Sequence, residues 1–185
     1  MRLFVALDIP AQVRRALGDF IDRLRPQARS GTWVRPESIH ITLKFIGNYD
    51  EAKLDAVRSA LSVIRSEQPA EMHFCGLGFF PHERRPRVLW CGVEASPNVA
   101  TLASHIDSRL ESLRVPRETR AFVPHLTLAR FDHPSGLEKL VTTTESLSST
   151  EFGTATEREF HLYESVLKRS GAEYTRLATF PFVGS

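Results

Sequence analysis

Cysteine is scarce. The 185 residues hold two, Cys75 and Cys91, in neither a Cys-x-x-Cys pair nor a Cys/His cluster. That excludes a disulfide framework and a readable zinc knuckle, and leaves two buried free thiols as the expectation. Long apolar runs are missing too. The N-terminal stretch 3–7 is apolar but meets Asp8, short of a signal-peptide core and far short of a membrane span, so a cytoplasmic chain without membrane association is expected. No charge sign is in excess: 24 Lys and Arg against 22 Asp and Glu leave +2, which permits a phosphate-bearing partner without arguing for one. With 11 Pro and 10 Gly, collagen-like and low-complexity readings fail. What remains is 42% apolar and 25% charged, the composition of a domain that must bury a core, at the length of one domain.

Apolar spacing supplies the elements. Residues 3–7 read as a strand that gives way at Ile9-Pro10 to a helix carrying Val13, Leu17, Phe20, Ile21 and Leu24, which stops near Pro26. A strand over 38–47 and an amphipathic helix over 51–64 follow. Strands at 72–80 and 88–93 flank a Pro- and Arg-rich hairpin loop, and 98–113 reads as a helix. Residues 121–131 read as a strand despite Pro124, 137–141 as a short helix, and the Ser/Thr-dense stretch 142–156 as an exposed loop. Two further strands, 160–167 and 174–180, are split by Ser170-Gly171. A βαβ order mixed with hairpins predicts an α+β fold with mainly antiparallel sheets, and the lack of a linker predicts one domain over 1–185.

One pattern rises above composition. Ser38-Ile39-His40-Ile41-Thr42-Leu43 is echoed by Val123-Pro124-His125-Leu126-Thr127-Leu128, so that His, an apolar residue, Thr and Leu occur twice in that order. A single His-x-Thr on a strand is an ordinary half-exposed pair; two flanked copies are not. Side-chain alternation puts His40 and Thr42 on one face and Ile41, Leu43 and Phe45 on the other, with His125 and Thr127 placed likewise over Leu126 and Leu128. If the halves relate by a pseudo-twofold axis, two imidazoles and two hydroxyls converge. That set suits phosphodiester chemistry. One imidazole accepts a proton from a nucleophile and the other, protonated, donates to the departing oxygen, both forms being accessible near neutral pH. Threonine hydroxyls donate to the non-bridging oxygens. His-x-Thr lacks the helical spacing and carboxylates of common hydrolytic metal sites, so no metal is required.

At these residues the chain resembles the 2H phosphoesterase superfamily, and within it the RNA 2′,3′-cyclic phosphodiesterase branch, historically called 2′-5′ RNA ligase. The opening 2–7, the approach Trp33-Val34-Arg35-Pro36-Glu37-Ser38-Ile39-His40, the stretch from Phe122 to Arg130, and Leu162-Tyr163-Glu164-Ser165 all carry the likeness. The resemblance implies two lobes, each an antiparallel sheet backed by helices, related by a pseudo-twofold axis, with the active cleft between them. It also implies metal-free, cofactor-free hydrolysis of RNA ending in a 2′,3′-cyclic phosphate to a 2′-phosphate. Carried over by position, His40 donates a proton to the leaving O3′, His125 activates water, and Thr42 and Thr127 hold phosphate oxygens. A monomer is expected. Alternatives are 2′-5′ ligation, a phosphodiesterase for a small cyclic-phosphate nucleotide, and a noncatalytic RNA-binding module.

Arg130 matches an Arg of the second family motif and suits bidentate phosphate contact. Strict alternation, however, puts it on the face of Leu126 and Leu128, so it reaches phosphate only if the strand ends or bulges near Ala129. Lys44 has the parity of His40 and Thr42 and reads as a solvated lysine at a sheet edge. His82 sits in a basic loop; His73, His105, His133 and His161 lack a partner motif and read as structural or surface residues. Phe45, Phe79, Phe80 and Trp33 read as core, with base stacking as the alternative.

Overall fold

A strand of consecutive apolar residues must be covered on both faces, and β1 (Arg2–Leu7), buried from Leu3 onward, lies inside a sheet rather than at its edge. In the computed structural model, which describes residues 1–169 and 171–183, that sheet has the order β3-β1-β8-β9, with β3 at Ile41–Asn48, β8 at Glu159–Lys168 and β9 at Gly171–Pro181. The second sheet has the order β2-β6-β5-β4-β7. Its strands are β2 (Thr32–Trp33), β4 (Ala70–Phe80), β5 (Val88–Ala95), β6 (His125–Arg130) and β7 (Glu151–Glu157). Every pairing is antiparallel. The α+β class and the two antiparallel sheets are those expected; the turn at Ser170 lies outside the described residues.

The two sheets exchange their covering helices. Helix α1 (Ala11–Leu24) follows β1 and leads, by way of β2 in the other sheet, to the first His-x-Thr strand; it packs on β7 of that other sheet, where Phe20 meets Phe152 edge-on at 5.2 Å. Helix α3 (Pro97–Glu111) connects β5 to the second His-x-Thr strand and packs on β3. Helix α2 (Leu54–Ser62) joins α3 and β9, and α4 (Glu138–Ser146) lies on β4. Each sheet is therefore backed by a helix from the other half, and the buried side chains of both form one continuous cluster. The apolar stripe foreseen on α1 is the stripe it buries.

Two expectations need correction. The Ser/Thr stretch is no exposed loop: it forms the C-terminal half of α4 and β7 up to Thr156. In α4 the Thr142 and Thr143 hydroxyls donate to the carbonyls of Glu138 and Lys139 four residues back, at 3.0 and 2.9 Å, while Leu140 and Thr144 turn inward. In β7 Phe152 and Ala155 are buried, and Phe152 packs on Phe20 of α1. The strand read as 121–131 starts only at His125, because Pro124 has no N–H to give the ladder.

Candidate active site

Both histidines are held in the same way. His40 Nδ1 lies 2.7 Å from the Ser38 carbonyl oxygen, and His125 Nδ1 lies 2.8 Å from that of Val123. A carbonyl can only accept, so each Nδ1 carries its proton and each neutral ring offers Nε2 alone for proton transfer. In both copies the bond spans two residues and sits at the start of the strand. The local geometry of one motif thus repeats that of the other.

A second feature is shared. β3 pairs with β1 through Thr42↔Ala6 and Lys44↔Val5, which leaves Leu43 as an extra residue; β6 pairs with β5 through Thr127↔Trp90 and Ala129↔Leu89, which leaves Leu128 extra. Each strand bulges at the third residue after its histidine, and alternation inverts there. Leu128 and Ala129 both turn inward and Arg130 returns to the face of His125 and Thr127, so the condition its phosphate role required is met. In β3 the bulge corrects two assignments. Lys44 points inward, 6% exposed, with its ammonium on Asp107 of α3 and 2.6 Å from the Pro116 carbonyl; it is not a solvated lysine. Phe45 turns outward instead of into the core, 55% exposed, opposite Phe4. Phe45 and Arg130 therefore occupy equivalent places, five residues after each histidine.

The two strands belong to different sheets, yet β3 and β6 approach within 8 Å between Cα atoms. The space beside them is a cavity of about 880 Å³. Phe4, Phe45 and Tyr174 line it from the first sheet and Trp33 and Arg130 from the second, with Arg2, Arg35, Lys168 and Arg169 adding cations. Neither imidazole is among the described residues that form its wall. His40 lies behind Phe4, stacked at 4.6 Å, and Tyr174, edge-on at 5.1 Å, while His125 meets Phe80 edge-on at 5.1 Å. Phe79 is core, as expected; Phe80 and Trp33 are half-buried.

The surroundings of His40 were not legible in the sequence. Burial among these rings pushes its pKa down to about 4, against the pull of the Ser38 carbonyl and the Asp8 carboxylate. Arg14 of α1 donates to the carbonyls of Pro36 at 2.7 Å and Ile39 at 3.2 Å, which fixes the backbone just ahead of the imidazole. Asp8 accepts from Tyr163 Oη at 2.5 Å and from Arg176, and the buried His161 stands 3.6 Å away. Tyr163, pushed up to about 12 by burial and the Asp8 contact, keeps the proton it donates. Phe4 belongs to an opening stretch that shows only an apolar strand and the family likeness, and Asp8 reads only as the end of that apolar run. Tyr163 was flagged by the family likeness alone. His161 is structural, as expected.

A two-lobed fold with duplicated His-x-Thr strands defines a class of phosphoesterase, and family comparison places the chain within it. The family model described as the 2′-5′ RNA ligase superfamily matches residues 12–167. The protein belongs to that superfamily. It is 34% identical over 181 residues to a protein of Archaeoglobus fulgidus named RNA 2′,3′-cyclic phosphodiesterase, covering 97% of this chain and 99% of the relative. A Thermotoga maritima protein of the same name is 31% identical over 186 residues, covering 100% of this chain and 97% of its own. Among solved structures, TT0787 of Thermus thermophilus superposes with a TM-score of 0.80 at 32% identity, covering 98% of each chain. Escherichia coli LigT complexed with 3′-AMP gives 0.76 at 26% identity, covering 99% of this chain and 98% of that one.

Proposed function

We propose that the protein is a metal-independent RNA 2′,3′-cyclic phosphodiesterase, a cytoplasmic monomer whose residues 1–185 work as one two-lobed domain. It hydrolyses a terminal ribonucleoside 2′,3′-cyclic phosphate to the 2′-phosphomonoester. Nε2 of His125 takes a proton from water as the water oxygen bonds to phosphorus. Nε2 of His40 delivers a proton to O3′ as the P–O3′ bond breaks. The Thr42 and Thr127 hydroxyls donate to the non-bridging oxygens, and the Arg130 fork meets the same charge. Run backwards, the same two groups exchange roles, which is the chemistry of 2′-5′ ligation.

The observation that carries this reading is the duplicated histidine geometry: two imidazoles, each with Nδ1 committed to a carbonyl and Nε2 free, on strands that approach each other from separate sheets. Donation by His40 needs one further condition, since at a pKa of about 4 its ring is neutral in the free protein near pH 7. The substrate supplies it. A unit negative charge about 4 Å from Nε2 contributes roughly 4 kcal/mol at an effective dielectric of 20, equivalent to about three pKa units. The phosphate therefore brings the donor to its working range by binding.

The test is incubation with an oligoribonucleotide ending in a 2′,3′-cyclic phosphate and identification of the monoester formed. A 2′-phosphate is expected, with turnover lowered about 10²- to 10⁴-fold in His40→Ala and in His125→Ala and RNA binding spared. A 3′-phosphate product, or unchanged turnover in either variant, overturns the reading.

A further inference from the structure

Sheet pairing assembles a donor set that the sequence keeps apart. His73 and Cys75 lie on β4, Glu94 is the cross-strand partner of His73 on β5, and Glu151 is the cross-strand partner of Cys75 on β7. One ligating atom from each of His73, Cys75 and Glu94 falls within 4.8 Å of the others. His73 Nδ1 is 3.1 Å from Glu94 Oε2, and its Nε2, on the other side of the ring, is 3.0 Å from Glu151 Oε2. Cys75 is half-buried, in contrast to the fully buried Cys91, so the expectation of two buried thiols holds for one of them.

We propose that His73, Cys75 and Glu94 form a binding site for one divalent transition-metal ion of the zinc class, with Glu151 orienting the His73 ring. The donors decide the class. A thiolate, an imidazole and a carboxylate suit a borderline ion such as Zn²⁺, whereas Mg²⁺ and Ca²⁺ take oxygen ligands. Distances fit as well. Tetrahedral zinc with bonds of about 2.0 to 2.3 Å needs its ligand atoms roughly 3.3 to 3.6 Å apart, so the imidazole–carboxylate separation is already close and the thiol closes the rest by a side-chain rotation. Glu94 faces Nδ1 and also the Cys75 thiol, which makes Nδ1 the nitrogen that meets the ion. Nε2–H then donates to Glu151, the outer carboxylate that fixes tautomer and ring angle at many metal-bound histidines. On binding, the thiol proton of Cys75 and the Nδ1 proton that His73 directs at Glu94 both leave to solvent, and the fourth position is taken by water.

The site has a definite place. Glu94 lies two residues beyond Gly92, which pairs with His125, so the ion sits on the His125 face of the second sheet but toward its β7 edge, away from β6. It takes no part in the hydrolysis proposed above and stands or falls independently. Its effect is to clip β4, β5 and the edge strand β7 together.

Co²⁺ is the probe, because a cobalt–thiolate bond gives a near-ultraviolet charge-transfer band. One equivalent per chain should produce the band, Zn²⁺ should displace it, and Cys75→Ser should abolish it; Cys91, wholly buried, cannot substitute. His73→Ala should abolish tight binding, and Glu151→Gln should weaken it about 10- to 100-fold. Zn²⁺ should raise Tm in the natural chain and leave that of Cys75→Ser unchanged. If Co²⁺ gives no band, or the same band with Cys75→Ser, the four side chains are only a surface network of His73 between two carboxylates and the proposal is overturned. Unaltered affinity in Glu151→Gln removes the orienting role of that residue.

Discussion

An imidazole whose Nδ1 hydrogen is held by a backbone carbonyl has one basic atom left, and its direction is set by the main chain rather than by a side-chain partner. His40 and His125 both have this arrangement. They differ in what encloses them: His40 lies in a nest of Phe4, Tyr163 and Tyr174 that makes its charged form costly. The expected outcome of a histidine-resolved NMR titration is a His40 pKa near 4 in the free protein, raised by about two to three units with a nucleoside 2′-phosphate bound. The sign follows from the phosphate charge, which favours the imidazolium. A His40 that stays neutral near pH 7 in the complex acts as acceptor, and the donor and acceptor roles exchange. Nothing in a linear sequence reports such enclosure, because the three rings come from β1, β8 and β9.

At the scale of the element, one extra residue per strand does the positioning. The bulges at Leu43 and Leu128 reverse which side chains face the cleft, so Arg130 comes into it and Lys44 leaves. Arg130→Lys keeps the charge and loses the planar fork; kcat/KM on cyclic-phosphate RNA should fall about tenfold or more, since a charge-assisted hydrogen bond contributes roughly 1.5 to 3 kcal/mol. Equal rates would show that Arg130 meets the substrate as a point charge only. Lys44, turned inward, ties β3 to α3. Burial alone raises the Asp107 carboxyl, but the Lys44 ammonium and the Glu118 N–H overcome this and hold it below the usual carboxylate range. Asp107→Ala leaves the Lys44 ammonium buried without its carboxylate and should cost about 3 to 5 kcal/mol in urea denaturation, whereas replacing both by apolar residues of similar volume should cost much less. The motif and its parity were legible in the sequence; the bulge was not, because it is a property of the pairing with β1 and β5.

The whole molecule holds the two motifs together by exchange. α1 leaves the first sheet to cover the second and α3 does the reverse, so neither sheet keeps its core alone. The cavity between them gathers Arg2, Arg35, Arg130, Lys168 and Arg169 from segments far apart in a chain whose net charge is only +2. A polynucleotide laid along these cations releases counterions. KM for an oligoribonucleotide should therefore rise with salt, by a slope of about 0.7 per phosphate contacted, while a 2′,3′-cyclic mononucleotide should show a much shallower slope. Equal slopes would mean that the cavity holds no upstream phosphates.

The sequence by itself determined the class of fold and the repeated array of His40, Thr42, His125 and Thr127 on which the proposed chemistry rests, because these are local: apolar period sets most of the elements, and a repeated tetrapeptide on a strand sets a repeated side-chain array. The tertiary structure alone decided which way Phe45, Arg130 and Lys44 point, how His40 is desolvated, and that His73, Cys75 and Glu94 meet. Each of these depends on register between strands distant in the chain, and register is fixed only when the sheets pair and close over their exchanged helices.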